Sequence, residues 1–291
     1  MTDTSRPKPT KGNGNKLSAA EKASGLSRKE RKSVEAQSRA SAALIHETIR
    51  ADGESELRRG IAALLLSGFA AGLAMAFSLV TEGLLQAKLP DAPWRELIAN
   101  FGYTVGFLIV VLGRQQLFTE NTLTPILPLL YHRNSVTFGR VARLWTVVLF
   151  ANIAGTWVIA AVLAHSTAFE PDVRAAFAEI SRHSIASPFW TTLVKGVFAG
   201  WLIALMVWLL PAAESARLWV ILIITYVVAL GGLAHIIAGS VDAFYLVATG
   251  EAGLGDYFAR FFVPTLIGNV LGGVTLVAFL NYGQVAHEVE E

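Results

Sequence analysis

Six long apolar stretches divide the sequence, and they constrain its fold more than any other feature. A helix needs about 20 apolar residues to cross the hydrocarbon core of a bilayer. The composition agrees, because 53% of the residues are hydrophobic and only 16% are charged, which is too apolar for an ordinary soluble domain. The sequence therefore predicts an all-α membrane protein. Its predicted spans are residues 60–85, 97–131, 141–164, 189–210, 218–248 and 258–281.

Two of these spans are interrupted near their middle. The second contains the polar run 114–122 followed by Pro125 and Pro128, and the fifth contains the lone His235 among three glycines. Proline and glycine break helices, and non-helical backbone survives at membrane depth only when it is buried in protein or lines water. An ionisable side chain at that depth usually faces a cavity. The sequence therefore predicts two broken helices, with His235 in the middle of a pore.

The six spans also divide into two halves of three. The middle span of each half is broken, and the last span of each half carries an asparagine followed three residues later by a glycine. These pairs are Asn152 with Gly155, and Asn269 with Gly272. The pattern is typical of an inverted 3+3 repeat, in which the paired broken helices line the substrate path near the midplane of the membrane.

Residues 1–59 differ sharply in composition from the rest of the chain. They hold 13 Lys and Arg residues, interspersed with acids, and no aromatic residue. We predict a cytoplasmic basic tail that is disordered to about residue 26 and helical between 27 and 57, with no signal peptide. The alternative, a nucleic-acid-binding tail, is disfavoured by the interspersed acids and the missing aromatics. Residues 60–282 are then the transmembrane channel domain, and 283–291 are a short cytoplasmic tail.

The basic residues also predict the orientation of the chain. The face shared by both termini has the 13 tail cations and four more in its loops, whereas the loops of the opposite face have five. Short loops rich in Lys and Arg stay on the cytoplasmic side. Both termini are therefore predicted to be cytoplasmic, in a protein of the inner (plasma) membrane.

The chain from residue 60 to 282 resembles the formate/nitrite transporter family. Leu-Phe-Thr at 117–119 resembles that family's loop in the broken second helix, and Leu-x-His-x-Ile-Ala around His235 resembles its central-histidine segment. Residues 196–208 are similar to its fourth helix. The run Val-Pro-Thr-Leu-Ile-Gly-Asn-Val-Leu-Gly-Gly at 263–273 resembles its sixth-helix motif and is the most specific match. The resemblance implies an aquaporin-like protomer, a homopentamer in membrane lipid with one pore per subunit, and small monovalent anions as substrates.

The same resemblance assigns a substrate path. It implies that His235 is the central histidine and that Thr119 is the loop threonine facing it. The other path positions that it implies are Tyr103, Phe107, Leu117, Phe118 and Val228.

The chain departs from the family pattern at four positions, which leaves the choice of anion open. Gln116 and Ala234 stand where the family often carries acids, and Gly200 stands in place of an asparagine. The family's lysine would fall near His183, and no lysine is found there.

A proton-coupled mechanism is the hypothesis that these residues favour. Stripping water from a bare anion costs many kcal/mol, whereas its neutral acid crosses an apolar constriction at little cost. Proton donation by His235, or through it from water, would let an anion such as formate cross as an acid between rings such as Phe107 and Phe118. Thr119 is predicted either to hydrogen-bond the substrate or the histidine ring, or to cap the half-helix that follows it.

Two cations inside or beside the predicted spans have two interpretations each. Lys195 either extends to the membrane interface or attracts anions in place of the missing family lysine. Arg114 either pairs with Glu120 or contributes to anion selectivity. Both cations are therefore candidates for anion attraction.

Other classes of function lack their motifs. An aquaporin-type channel for neutral solutes would carry two Asn-Pro-Ala loops, and none occurs. An intramembrane enzyme is disfavoured because Ser240 follows His235 on the same segment, which is poor geometry for a nucleophile and its base. With no cysteine and no His-Glu-x-x-His motif, we expect neither a metal nor a cofactor. The remaining alternative is a membrane scaffold without transport activity.

Overall fold

The computed structural model describes residues 42–279. Within that range every regular element is helical. The predicted disorder before residue 27 and the short tail 283–291 lie outside the described residues.

The elements in chain order are α1 (Ala42–Arg58), α2 (Ile61–Lys88), α3 (Arg95–Ala99), α4 (Thr104–Leu112), a 3-10 turn (Glu120–Thr122), α5 (Ile126–His132), α6 (Ser135–His165), α7 (Pro171–Ala186), α8 (Phe189–Ala213), a second 3-10 turn (Glu214–Ala216), α9 (Arg217–Leu230), α10 (Ala238–Thr249), α11 (Leu254–Asp256), a π-helical stretch (Tyr257–Phe262), α12 (Val263–Val270) and a second π-helical stretch (Leu271–Phe279).

Five helical runs are long and apolar enough to cross a membrane by length and composition. The longest, Phe189–Leu230, has 42 residues and contains both α8 and α9. It turns after Pro211, and Glu214 takes a φ of 29° at the turn. The predicted breaks are confirmed: 13 residues separate α4 from α5, and seven separate α9 from α10.

Glycines allow two pairs of long helices to pack closely. A Cβ atom on Gly155 of α6 would lie 2.9 Å from the Cα atom of Gly72 on α2. A Cβ atom on Gly196 of α8 would lie 3.2 Å from the Cα atom of Gly268 on α12. Small residues at crossings let membrane helices approach until their backbones touch. Each pair therefore forms a rigid support for the broken helix beside it.

The connector between the third and fourth predicted spans contains a helix that the sequence reasoning missed. Its composition is polar, but α7 buries one face, including Val173 and Phe177. The Phe177 ring lies 5.9 Å from that of Tyr245. A Cβ atom on Gly83 of α2 would clash with the Phe177 ring. The helix thus packs against α2 and α10 through a single apolar stripe.

Helix α1 (Ala42–Arg58) lies in the region where the sequence predicts a helix between residues 27 and 57, and one of its faces is buried. Ile49 and Leu57 are 2% and 4% exposed. His46 lies 6.4 Å from the Trp208 ring near the end of α8, and burial lowers the pKa of His46. The side chain of Gln116 donates a hydrogen bond of 2.7 Å to Glu56. These contacts join α1 to the loop that follows α4.

We expect the substitution Gly53→Ala to loosen α1. A Cβ atom at this position would lie 2.8 Å from the backbone carbon of Thr124 and 3.1 Å from Pro128, so the helix must move away. Overpacking of this kind costs about 2 kcal/mol. Hydrogen exchange of residues 42–58 should become faster. Gly60→Ala is the control, because nothing lies within 4 Å of its added Cβ atom, and equal exchange in the two variants would contradict the expectation.

Candidate functional site

Two loops interrupt the broken helices, and they begin with the same backbone turn. The residue that caps the end of α4 is Gly113, with a φ of −74°, and the one that caps α9 is Gly231, with a φ of −77°. The next residues, Arg114 and Gly232, have φ values of 50° and 52°. Glycine adopts this left-handed conformation without strain, whereas arginine pays about 1 kcal/mol. The turn is therefore a feature of the fold that each half of the chain forms with different residues.

An asparagine from α6 anchors the first loop. The Oδ1 atom of Asn152 accepts a hydrogen bond of 2.9 Å from the backbone N–H of Phe118. Its Nδ2 atom donates to the carbonyls of Gln116 and Gly68, at 2.8 and 2.7 Å. The side chain thus uses its amide oxygen and both of its N–H groups on loop and helix backbone.

An asparagine from α12 anchors the second loop in the same way. Asn269 Oδ1 accepts a hydrogen bond of 2.9 Å from the N–H of Ile236. Its Nδ2 atom donates to the carbonyls of Ala234 and Gly196, both at 2.8 Å. The two asparagines that the sequence pairs by their spacing to glycine therefore tie the loops to neighbouring helices in both halves.

The two loops meet at a hydrogen bond between His235 and Thr119. His235 Nε2 lies 2.8 Å from Thr119 Oγ1, and the two residues are 1% and 0% exposed. The Nδ1 atom of His235 accepts a hydrogen bond of 3.1 Å from the backbone N–H of Ala238. A backbone N–H can only donate, so Nδ1 carries no proton and Nε2–H is the donor to threonine. The hydroxyl proton of Thr119 is then available to a substrate.

This geometry shows which groups the side chains of Thr119 and Ser240 contact. Thr119 precedes a 3-10 turn, but its side chain makes no capping hydrogen bond and contacts His235 instead. Ser240 is not a partner of His235, because its hydroxyl bonds the carbonyl of Ile236 at 2.5 Å and the hydroxyl of Tyr257 at 3.1 Å.

Aromatic rings line one side of the His235–Thr119 pair. The Phe107 ring lies 4.9 Å from the His235 ring at an angle of 73°, and the Tyr103 ring lies 5.3 Å from Phe107. The Phe118 ring instead lies 5.9 Å from Trp145. The structure therefore places Phe107 against the histidine ring and Phe118 against Trp145.

A cavity of about 250 Å³, here called the vestibule, extends from His235 to exposed residues at the end of the bundle opposite α1. Tyr103, Val228 and Lys195 line it, whereas Leu117 is completely buried. Its ionisable lining residues besides His235 are Tyr103, Glu82, Glu96, Glu179, Asp242, His183 and Lys195.

The carboxyl groups of the vestibule were missed by the sequence reasoning. Glu82 and Asp242 stand inside apolar spans, where an ionisable residue is costly and usually functional. That signal was present in the sequence. The vestibule joins residues from distant segments, however, so their meeting depends on the fold.

The two candidate cations occupy different places. Lys195 lines the vestibule, and its Nζ atom lies 3.4 Å from Ser187 Oγ. Arg114 is exposed at the turn after α4. Within residues 42–279 no salt bridge joins it to Glu120, whose Oε1 atom is buried without a hydrogen-bond partner. A role for either cation in anion attraction stays a prediction.

Comparison with known proteins identifies the family. A family model described as "Formate/nitrite transporter" matches residues 43–283. "Inner membrane protein YfdC" of Escherichia coli (strain K12) is 42% identical over 245 residues, which cover 84% of this chain and 79% of the relative. "Formate channel BtFdhC" of Bacillus thuringiensis is 25% identical over 82% of this chain and 93% of its own length.

A solved structure gives the same result for the fold. The "Pentameric formate channel with formate bound" matches with a TM-score of 0.66 at 18% identity, covering 78% of this chain and 98% of its own. The helical architecture of this chain, its two interrupted helices and its matched sequence all point to the same family. The chain therefore belongs to the formate/nitrite transporter family, which is a family of membrane transporters and not of enzymes.

Proposed function

We propose that this protein is a channel or transporter for small monovalent weak-acid anions, such as formate or nitrite, and that His235 couples their passage to protons. The observation that carries the proposal is the buried His235–Thr119 hydrogen bond at the inner end of the vestibule. Membership of a formate/nitrite transporter family supports it, and so does the name of the formate channel among the relatives.

The chemistry of the site favours a weak acid as the permeating species. Where the Phe107 ring meets the His235 ring, the free donor that an anion can find is the Thr119 hydroxyl, because Nε2–H is already donated to Thr119 Oγ1. One hydrogen bond does not replace the hydration of a full negative charge. An anion held by this hydroxyl, and protonated there, passes the rings as a neutral acid. Each anion thus takes one proton with it, which is proton–anion symport.

The architecture that we propose has six spans in an inverted 3+3 repeat, as in an aquaporin-like protomer. Two features support it: the shared turn at Arg114 and Gly232, and the matching hydrogen bonds of Asn152 and Asn269. The turn after Pro211 divides the longest apolar run into two spans.

We further propose a homopentamer with one pore per subunit, lying in the inner (plasma) membrane with both termini cytoplasmic. The structural match to a pentameric formate channel supports the pentamer. Large apolar side chains such as Leu66, Phe150 and Trp190 are 69–74% exposed in the single chain, and lipid or neighbouring subunits would cover them. The surplus of Lys and Arg on one face supports the orientation, and the name of the E. coli relative supports the location.

The function is tested by uptake into proteoliposomes at two pH values, with formate, nitrite, hydrosulfide, acetate and lactate as substrates. We expect uptake of at least one of these acids, faster at the lower pH, with one proton entering for each anion. Uptake at the same rate at both pH values would refute the coupling of the anion to protons. Uptake of glycerol or urea in place of acids would favour the aquaporin-type alternative, and no uptake at all would favour a scaffold.

The variant Thr119→Val is expected to lower acid uptake by about 10-fold. Valine has nearly the shape of threonine but leaves Nε2–H of His235 without its partner at 2.8 Å, and losing a buried hydrogen bond costs about 1.5 kcal/mol. Thr119→Ser should restore most of the uptake. The matched control is Thr146→Val on the exposed face of α6, whose hydroxyl bonds only its own helix. Unchanged uptake in Thr119→Val would exclude a role for the hydroxyl.

A further inference from the structure

Two carboxyl side chains from distant parts of the chain face the vestibule near the constriction. Glu82 lies near the end of α2, and Asp242 lies on α10. Asp242 is one turn after Ala238 and therefore on the same face of α10 as Ala238. Both line the cavity that reaches His235. Tyr103 lines the same cavity, and its ring lies 5.3 Å from that of Phe107. The two carboxyl groups therefore share the vestibule with the rings that lead to His235.

Within the described part of the chain, residues 42–279, neither carboxyl group has a cation as a partner. No salt bridge there joins Glu82 or Asp242 to a Lys, Arg or His side chain. The vestibule lysine, Lys195, has its Nζ atom 3.4 Å from Ser187 Oγ. Because no cation fixes the two groups as carboxylates, they can exchange protons with water in the cavity. The other titratable groups facing the vestibule are Tyr103, Glu96, Glu179, His183 and His235.

His235 cannot receive a proton from the side of the ring that faces away from Thr119. Its Nδ1 atom is occupied by the N–H of Ala238 at 3.1 Å, and protonating it would break that hydrogen bond and set two donors against each other. A proton relay that enters at Nδ1 and leaves at Nε2 is therefore blocked in this arrangement. The coupled proton must reach the substrate from the vestibule.

We propose that Glu82 and Asp242 are the proton-donating pair of this transporter and protonate the weak-acid anion before it passes His235. This inference rests on the function proposed above and names the source of its proton. The O–H bond of a protonated carboxyl group breaks as an oxygen of the anion takes the proton. The carboxylate left behind is reprotonated by water at the mouth of the vestibule. One proton thus moves with each anion, and no electron changes hands.

The test compares wild type with Glu82→Gln, Asp242→Asn and the double variant, with formate as the substrate. Amides keep the shape of the side chains but cannot supply a proton. At neutral pH we expect uptake to fall about threefold in each single variant and about 10-fold in the double variant. At a pH about two units lower, undissociated formic acid is about 100-fold more abundant, and uptake should return to the wild-type rate. That recovery also demonstrates that the variant protein is folded.

The matched control is Glu170→Gln, which removes an exposed carboxyl group at the start of α7, outside the vestibule. It should follow wild type at both pH values. Amide variants that equal or exceed wild type at neutral pH would overturn the proposal, because the carboxyl groups would then only repel anions. A uniform loss that low pH does not repair would overturn it too.

A spectroscopic readout separates this inference from the proposed function. Infrared difference spectra of wild type on adding formate should lose the carbonyl band of a protonated carboxyl group, and Asp242→Asn should lack that change. If wild type transports no weak acid at either pH, the proposed function fails. If it transports formate but the variants match wild type in uptake and spectrum, only the proton-donating pair is refuted.

Discussion

Acid uptake by the His235→Asn protein is expected to fall by about 10- to 100-fold at every pH. The ring contacts Phe107 on one side and donates to Thr119 on the other. Asparagine is shorter, so its amide cannot accept from the N–H of Ala238 and reach Thr119 at the same time. The Thr119 hydroxyl is then no longer held towards the anion, and a hydrogen bond to a charged group in a buried site contributes about 1.5–3 kcal/mol.

Low pH should not repair this loss, and that distinguishes His235 from the vestibule carboxyl groups. Undissociated acid supplied from bulk water replaces a missing proton donor but does not rebuild the constriction. His165→Asn, at the exposed end of α6, is the control and should follow wild type. A conductance that ignores pH and is the same in His235→Asn would disprove the central role of the histidine.

The broken helices could be predicted because their causes are local in sequence. Pro125 and the glycines around His235 disrupt regular helix wherever they stand. The matching spacing of Asn152 and Asn269 to a following glycine marked equivalent positions in the two halves, and each asparagine bonds the loop of its own half. Predictions of this kind need no knowledge of which segments meet in space.

Other parts of the site could not be predicted because they depend on tertiary packing. Glu82 and Asp242 are 160 residues apart, and nothing in either segment specifies that both face one cavity. From sequence alone, Phe107 and Phe118 were equally good candidates for the ring that contacts His235. The anchoring of the first loop by Asn152 turns Phe118 towards Trp145 and leaves Phe107 as the ring that contacts the histidine.

Helix α7 was missed for a related reason. Its charged residues are typical of a solvated loop. Its apolar stripe can be recognised as a packing face only when α2 is seen to supply a glycine for Phe177 to pack against. The buried face of α1 depends on packing in the same way. Gly53 alone suggests a weak position in a helix, and its purpose is seen only once Thr124 and Pro128 are found packed against it. Both helices are defined by their partners.

Replacing Asn269 with leucine is expected to produce the largest loss of stability. Three backbone groups lose a hydrogen bond at once: the buried N–H of Ile236, the buried carbonyl of Gly196 and the part-buried carbonyl of Ala234. Leaving a buried polar group unsatisfied costs about 1–3 kcal/mol, so the two buried groups alone cost about 2–6 kcal/mol. Thermal unfolding in detergent should show this as a much lower midpoint.

A graded series makes that expectation specific to the hydrogen bonds. Asn269→Asp keeps the acceptor for Ile236 but loses both donors, so its midpoint should lie between those of wild type and the leucine variant. Asn134→Leu removes an exposed helix-capping side chain that bonds Thr137 and the carbonyl of His132, and a cap of this kind is worth about 1 kcal/mol. If the two halves of the chain are equivalent in energy as well as in geometry, Asn152→Leu must cost as much as Asn269→Leu. A loss at Asn269 no greater than that at Asn134 would mean that the loop carrying His235 is held by its other contacts.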